Sequence, residues 1–186
     1  MVPFQDNVDI VNKALEPINV LLQQKCPNLK IQVIKFGVDC KLELIREDNI
    51  VLSFLHITTD DDTYNILSHT EEKYRNRKYN KLLTAVSIYI ADVFLKDTGV
   101  NTLFSSTSVL ARKKILEKYN HVRTSSEHDS EEFRLPMDID NKNIADMIIK
   151  QILLSDFNCS TSGGKRTRRK RHANHKRIIR KTNKQK

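Results

Sequence analysis

Ser68-His-Thr-Glu-Glu-Lys-Tyr-Arg-Asn-Arg-Lys-Tyr-Asn-Lys-Leu-Leu83 joins a β-branched run to a long apolar helix, and it crowds Lys73, Arg75, Arg77, Lys78 and Lys81 around the start of that helix. A helix start already carries partial positive charge, so each cation there is misplaced by up to about 1 kcal/mol. Two readings stay open. The side chains splay into water, or they converge with the free N–H groups of the first turn on a bound anion.

Downstream, the spacing predicts a helix over Tyr79–Lys96 whose apolar positions (Leu82, Leu83, Val86, Ile88, Ile90, Val93, Phe94, Leu95) wrap most of its circumference, with Gly99 as its stop. Such a helix is buried. Upstream, runs over Leu29–Phe36, Cys40–Arg46, Ile50–Ile57 and Tyr64–His69 predict a meander of four strands, broken at Gly37–Asp39, Asp48–Asn49 and Asp60–Asp62. Ile50–Ile57 is apolar on both faces and belongs inside the sheet. Before the meander, helical spacing over Asp6–Gln24 predicts two short helices, the second opened by Pro17. Beyond the long helix come a strand over Val100–Ser105 and a helix over Ser108–Lys118 capped by Ser108 or Thr107. A strand pair, Asn120–Thr124 and Glu132–Leu135, then flanks a polar loop at Ser125–Ser130, and a closing helix spans Asn143–Leu154. The order describes a mixed α+β domain over residues 1–160. Thr161–Gly164 reads as a flexible linker into a disordered basic tail, residues 161–186.

Charge separates body from tail. Of the 32 Lys and Arg in the 186 residues, twelve lie in Lys165–Lys186, which holds no carboxylate; the rest of the chain has 20 against 23 Asp and Glu, a net charge of about −3. The tail cations, Lys165, Arg166, Arg168, Arg169, Lys170 and Arg171 among them, would bind a polyanion such as nucleic acid by counterion release, without aromatic rings to stack on bases. A nuclear-localisation address or a solubilising terminus fits the same composition. The tail composition also resembles basic termini of large DNA virus proteins, which would allow a virion location.

The four glycines (Gly37, Gly99, Gly163, Gly164) cannot make a Walker loop or a dinucleotide fingerprint. Three scattered cysteines, Cys26, Cys40 and Cys159, argue against a disulfide framework or zinc site, and thus for a reducing compartment. His172 and His175 are too few for a metal site, and none is expected. The longest uncharged apolar stretch, Leu82–Ala91, is far shorter than a bilayer span, and Met1–Asp6 lacks a leader pattern. A soluble intracellular protein of cytoplasm or nucleus, with no membrane partner, is the expectation.

Arg75-Asn-Arg-Lys-Tyr-Asn80, after a strand and before a helix, resembles the Q/R-x-x-G-x-G/A motif of the GNAT superfamily of N-acetyltransferases. Gly99-Val-Asn-Thr-Leu-Phe-Ser105 is similar to that family's fifth strand, and Ser108–Val122 to its following helix and strand. The resemblance spans roughly Leu29–Thr124. It implies a largely antiparallel GNAT-like sheet flanked by helices. It also implies acetyl-CoA as cofactor, held by Leu67, Ser68, His69, Arg75, Arg77, Lys78, Tyr79, Asn80 and Lys81, and an amine as acyl acceptor. Lys78 and Asn80 stand where the motif has its glycines. The family's general-acid tyrosine falls on Ile115 or Leu116, with Tyr119 close by but out of register.

Catalysis would then be attack of a neutral amine on a thioester, the oxyanion held by a strand N–H near Leu67–His69. His69, or else Glu71, would strip the ammonium proton. The plain alternative makes His69 an edge residue, His56 a satisfied core histidine and Asp60–Asp62 a solvated turn. Two functions follow: a divergent acyltransferase, or a catalytically inactive relative whose tail grips nucleic acid.

Overall fold

A computed structural model describes residues 8–35, 39–60, 63–70, 72–75, 77–94, 102–107, 110–127, 130–136, 140–155 and 157–160. Glu71, Gly37, Gly99, Ser108, the acidic pair at 61 and 62, and the linker and tail lie outside them. The elements run α1 (Val8–Ala14), α2 (Glu16–Lys25), β1 (Leu29–Lys35), β2 (Asp39–Arg46), β3 (Val51–Asp60), β4 (Thr63–Thr70), a short 3-10 turn (Glu72–Tyr74), α3 (Tyr79–Phe94), β5 (Thr102–Thr107), α4 (Leu110–Lys118), β6 (Val122–Glu127), β7 (Ser130–Pro136) and α5 (Asn141–Leu154). The strands make one sheet in the order β1-β2-β3-β4-β5-β7-β6, antiparallel except where β4 meets β5. This is the mixed, largely antiparallel sheet with flanking helices that the sequence leads one to expect.

The core grows from period-two and helical patterning meeting. Leu29, Ile31 and Val33 of β1, Leu42 and Leu44 of β2, and Leu55 and Ile57 of β3 face one way by register and are fully buried with Leu82, Leu83, Val86 and Ile90 of α3. Along α3, ten of sixteen residues are buried, from Tyr79 to Ala91. α5 packs on both α3 and α2, and its first amides are held from α3: Asp92 accepts from the N–H of Asn141 at 3.3 Å and of Lys142 at 3.1 Å. That cap, with the Asp140 side chain accepting from Asn143 N at 3.4 Å, starts α5 two residues before Asn143.

β1 is a sheet edge, and its outer backbone groups are satisfied by asparagines. Asn12 donates Nδ2 to the Val33 carbonyl and accepts the Val33 N–H, both at 2.8 Å; Asn19 does the same for Ile31 at 2.8 and 2.7 Å. Each side-chain amide mimics a strand peptide and blunts the edge.

Two expectations are corrected. The expected polar loop at Ser125–Ser130 is strand at its described residues: Ser125, Ser126 and Glu127 pair with Glu132, Glu131 and Ser130, so β6 and β7 continue through polar sequence. Edge and solvent-facing positions accept such residues once a register is set, and Glu131 is further pinned by Lys113 of α4 at 2.8 Å. Nor are the cysteines all apart. Cys26 and Cys159 form a disulfide across 133 residues, with Cα atoms 5.3 Å apart, leaving buried Cys40 as the free thiol. α2 and the segment after α5 converge, which spacing alone does not reveal.

Candidate active site: a parted strand and a cationic turn

β4 and β5 run parallel, and only Thr63, Tyr64 and Asn65 have partners on β5, namely Thr102, Leu103 and Phe104. Past Asn65, β4 continues to Thr70 paired with β3 alone, while β5 continues to Thr107 paired with β7 alone. The strands therefore part toward the end where α3 begins. Ser53 donates its hydroxyl to the His69 carbonyl at 2.8 Å, so the His69 backbone faces β3. Backbone groups alternate sides along a strand, so those of Ile66, Ser68 and Thr70 face the opening. Leu67 is 62% exposed, and His69 is exposed with its ring stacked on Phe54 at 5.2 Å.

After β4 the turn into α3 spreads its cations over different roles. The Lys73 ammonium lies 4.8 Å from the centre of the buried Tyr74 ring, and the Arg77 guanidinium lies 5.4 Å from the same ring. Arg77 is buried, Arg75 is exposed, and Lys81 is half-buried. The Lys78 ammonium donates to Ser155 Oγ at 3.0 Å. Tyr79 is buried beneath Phe157, ring centres 5.5 Å apart, and its hydroxyl donates to the Ser160 carbonyl at 3.3 Å. Burial pushes the Tyr79 phenol up from its ordinary pKa, against the pull of Arg77, so it remains a donor. Asn80 sits within the first turn of α3, where its carbonyl accepts the Thr84 hydroxyl at 2.8 Å. Lys78 and Lys81 thus lie at the start of α3 with exposed Arg75 in the turn before it, while Arg77 and Tyr79 are turned inward.

The turn's backbone is unusual at one residue. Lys78 has φ 66°, the left-handed region that favours glycine, whereas Asn80 is helical. Lys78 is therefore glycine-like in backbone although lysine in side chain, at a cost of about 1–2 kcal/mol. Lys78→Gly is expected to raise the unfolding free energy in urea by about 0.5 kcal/mol, relief of that conformation being partly offset by the freer unfolded glycine.

At the positions where a general-acid tyrosine would fall, Ile115 is half-buried and Leu116 is fully buried. Tyr119, just past α4, is 2% exposed and donates its hydroxyl to the Lys81 carbonyl at 3.1 Å, tying the end of α4 to the first turn of α3. This bond could not be read from the sequence, since it depends on the fold bringing the end of α4 to the start of α3. His56 is half-buried. Among the described residues no three His, Cys, Asp or Glu side chains gather as a metal would need, and no helix is long and apolar enough to cross a membrane.

No protein-family model matches this sequence, and no curated protein matches it. Among solved structures the chain is similar to mutant forms of the spermidine/spermine N-acetyltransferase SpeG from Vibrio cholerae, at 5% identity and TM-score 0.45, over 54% of this chain and 68% of that one. It is similar also to a dodecameric spermidine N-acetyltransferase from Vibrio cholerae, at 7% identity and TM-score 0.47, over 54% and 66%. A third similarity is to an acetyltransferase of the GNAT family from Bacillus anthracis, at 12% identity and TM-score 0.44, over 53% and 67%. The matched stretch is thus about half of this chain and about two thirds of each of theirs.

Proposed function

We propose that this protein is a divergent GNAT-type N-acyltransferase that binds acetyl-CoA along the opening between β4 and β5 and passes the acyl group to an amine. The observation that carries this reading is the departure of β4 from β5 after Asn65. It leaves strand amides facing a gap that ends at a cationic helix start, and an extended thioester arm leading to a diphosphate has that shape and charge.

The residues present fit such a molecule at both ends. Exposed Arg75 and half-buried Lys81 offer charge-assisted donors to phosphate oxygens, and the left-handed turn at Lys78 brings backbone close to the first N–H groups of α3. When bound, acetyl-CoA supplies an activated acyl carbonyl. The Ser68 N–H, facing the opening, would hold that carbonyl's oxygen as negative charge develops. His69 lies at the strand's exit, with an imidazole able to take the proton an ammonium must lose before its nitrogen can attack. No phenol stands at Ile115 or Leu116, so the departing sulfur would draw its proton from water.

That same absence favours a second reading, a domain that binds without chemistry and whose Lys165–Lys186 cations grip nucleic acid. Titration calorimetry with acetyl-CoA tests the first reading. Binding is expected, weakened about tenfold or more in Arg75→Ala. No heat at saturating ligand would overturn it, whereas binding without thiol release in the presence of polyamine or peptide amines would select the second.

A further inference from the structure

Past α5 the chain turns back over the body. The Lys25 ammonium, at the end of α2, donates to the carbonyls of Leu153, at 2.6 Å, and Ser155, so the chain is anchored that far by α5 and this contact. Phe157–Ser160 then cross the start of α3. Phe157 is 4% exposed against Tyr79, the Ser160 carbonyl accepts from Tyr79, and Ser155 accepts from Lys78. Each of these polar contacts is worth only about 0.5–1.5 kcal/mol. The crossing is made durable by the bond from Cys159 to Cys26. In the folded chain that bond has little else to hold, since α5 is already docked on α2 and α3. Cys159 is half-buried and reachable by a small thiolate, while Cys26 lies beneath at 2% exposure.

We propose that the Cys26–Cys159 bond is a thiol-exchange site acting as a latch: closed, it clamps Phe157–Ser160 across the start of α3; opened by a dithiol, it frees that segment and uncovers the helix start to an anion. The second clause rests on the anion-seat reading above; the latch itself does not. In the exchange, one thiolate of the dithiol attacks Cys159 Sγ and the Cys26 sulfur leaves and takes a proton. The second thiolate then attacks the mixed disulfide, Cys159 leaves and is protonated, and the dithiol ends as a cyclic disulfide. Two electrons and two protons reach the protein. Cys40 does not compete, because burial pushes its thiol up to about 12 and leaves it protonated at neutral pH.

Hydrogen exchange read by mass spectrometry on the full chain, oxidised and in dithiothreitol, tests the latch, with Cys159→Ser as a second variant. At short labelling times, before global unfolding contributes, amides of Phe157–Ser160 are expected to exchange about tenfold faster on reduction while those of Ala145–Leu153 stay protected in both forms. Equal rates in both forms would overturn the latch. Calorimetry with acetyl-CoA on the two redox forms is expected to show about tenfold tighter binding when reduced. Equal binding by both forms, with the segment freed, would overturn the gating. Binding by neither form, with the segment freed, supports the latch and removes instead the acetyl-CoA reading of the turn.

Discussion

Reduction of the Cys26–Cys159 bond is expected to lower the unfolding free energy by about 5 kcal/mol at 25 °C. The bond closes a loop with a sequence separation of 133 residues, and joining the ends of so long a loop removes much conformational freedom from the unfolded chain. A chain of this size has only about 5–15 kcal/mol of stability in total, so the reduced form should unfold at a much lower urea concentration. The effect acts through the unfolded ensemble, and far-ultraviolet circular dichroism of the folded chain should hardly change on reduction. A urea midpoint that reduction leaves in place would show that the two sulfurs are not joined in the folded protein. A drop well below the expected one would point to a compact unfolded state that already brings the two ends together.

The second large effect is expected at Asn19. Alanine there leaves the N–H and C=O of Ile31 without their side-chain partners at a buried edge, and each lost partner costs about 1–3 kcal/mol, so Asn19→Ala should destabilise by about 2–6 kcal/mol. The aspartate variant sharpens the argument. A carboxylate can still accept the Ile31 N–H, but it sets a negative oxygen against the Ile31 carbonyl where an N–H stood. At neutral pH Asn19→Asp should be at least as unstable as Asn19→Ala. Burial and the facing carbonyl raise the folded pKa of that carboxyl above its unfolded value of about 3.9. The protonated acid can donate, so its contribution is fully present below the unfolded pKa and lost as pH rises through the folded one. Urea unfolding of both variants near pH 4 and pH 7 checks this. An alanine variant within about 0.5 kcal/mol of wild type would mean that water replaces the amide without loss.

Much of this architecture is legible before any coordinates. α3 announces itself because apolar residues surround it, and β1 to β4 because β-branched runs alternate with Asp, Asn and Gly breaks. β6 and β7 hide because Ser125–Ser130 looks like turn sequence, and only the partner strand gives those residues a register. The cationic turn is readable as a cluster but not as a geometry. Nothing in the residue letters says that Lys78 takes the left-handed conformation, that Arg77 lies against Tyr74, or that Tyr79 is roofed by Phe157. The parting of β4 from β5 is equally silent, because it depends on how strands distant in sequence curve apart. The disulfide escaped because proximity across most of the chain is a property of the finished fold, not of cysteine spacing.

The short β4–β5 ladder has a mechanical corollary. Eight residue pairs knit β3 to β4, but only three join β4 to β5, so the sheet is two leaves sewn by a brief seam. One leaf is β1 to β4; the other is β5, β7 and β6. A soft spine of this kind lets the leaves flex about the stitched end, and anything lodged in the fork would brace them and stiffen the whole molecule.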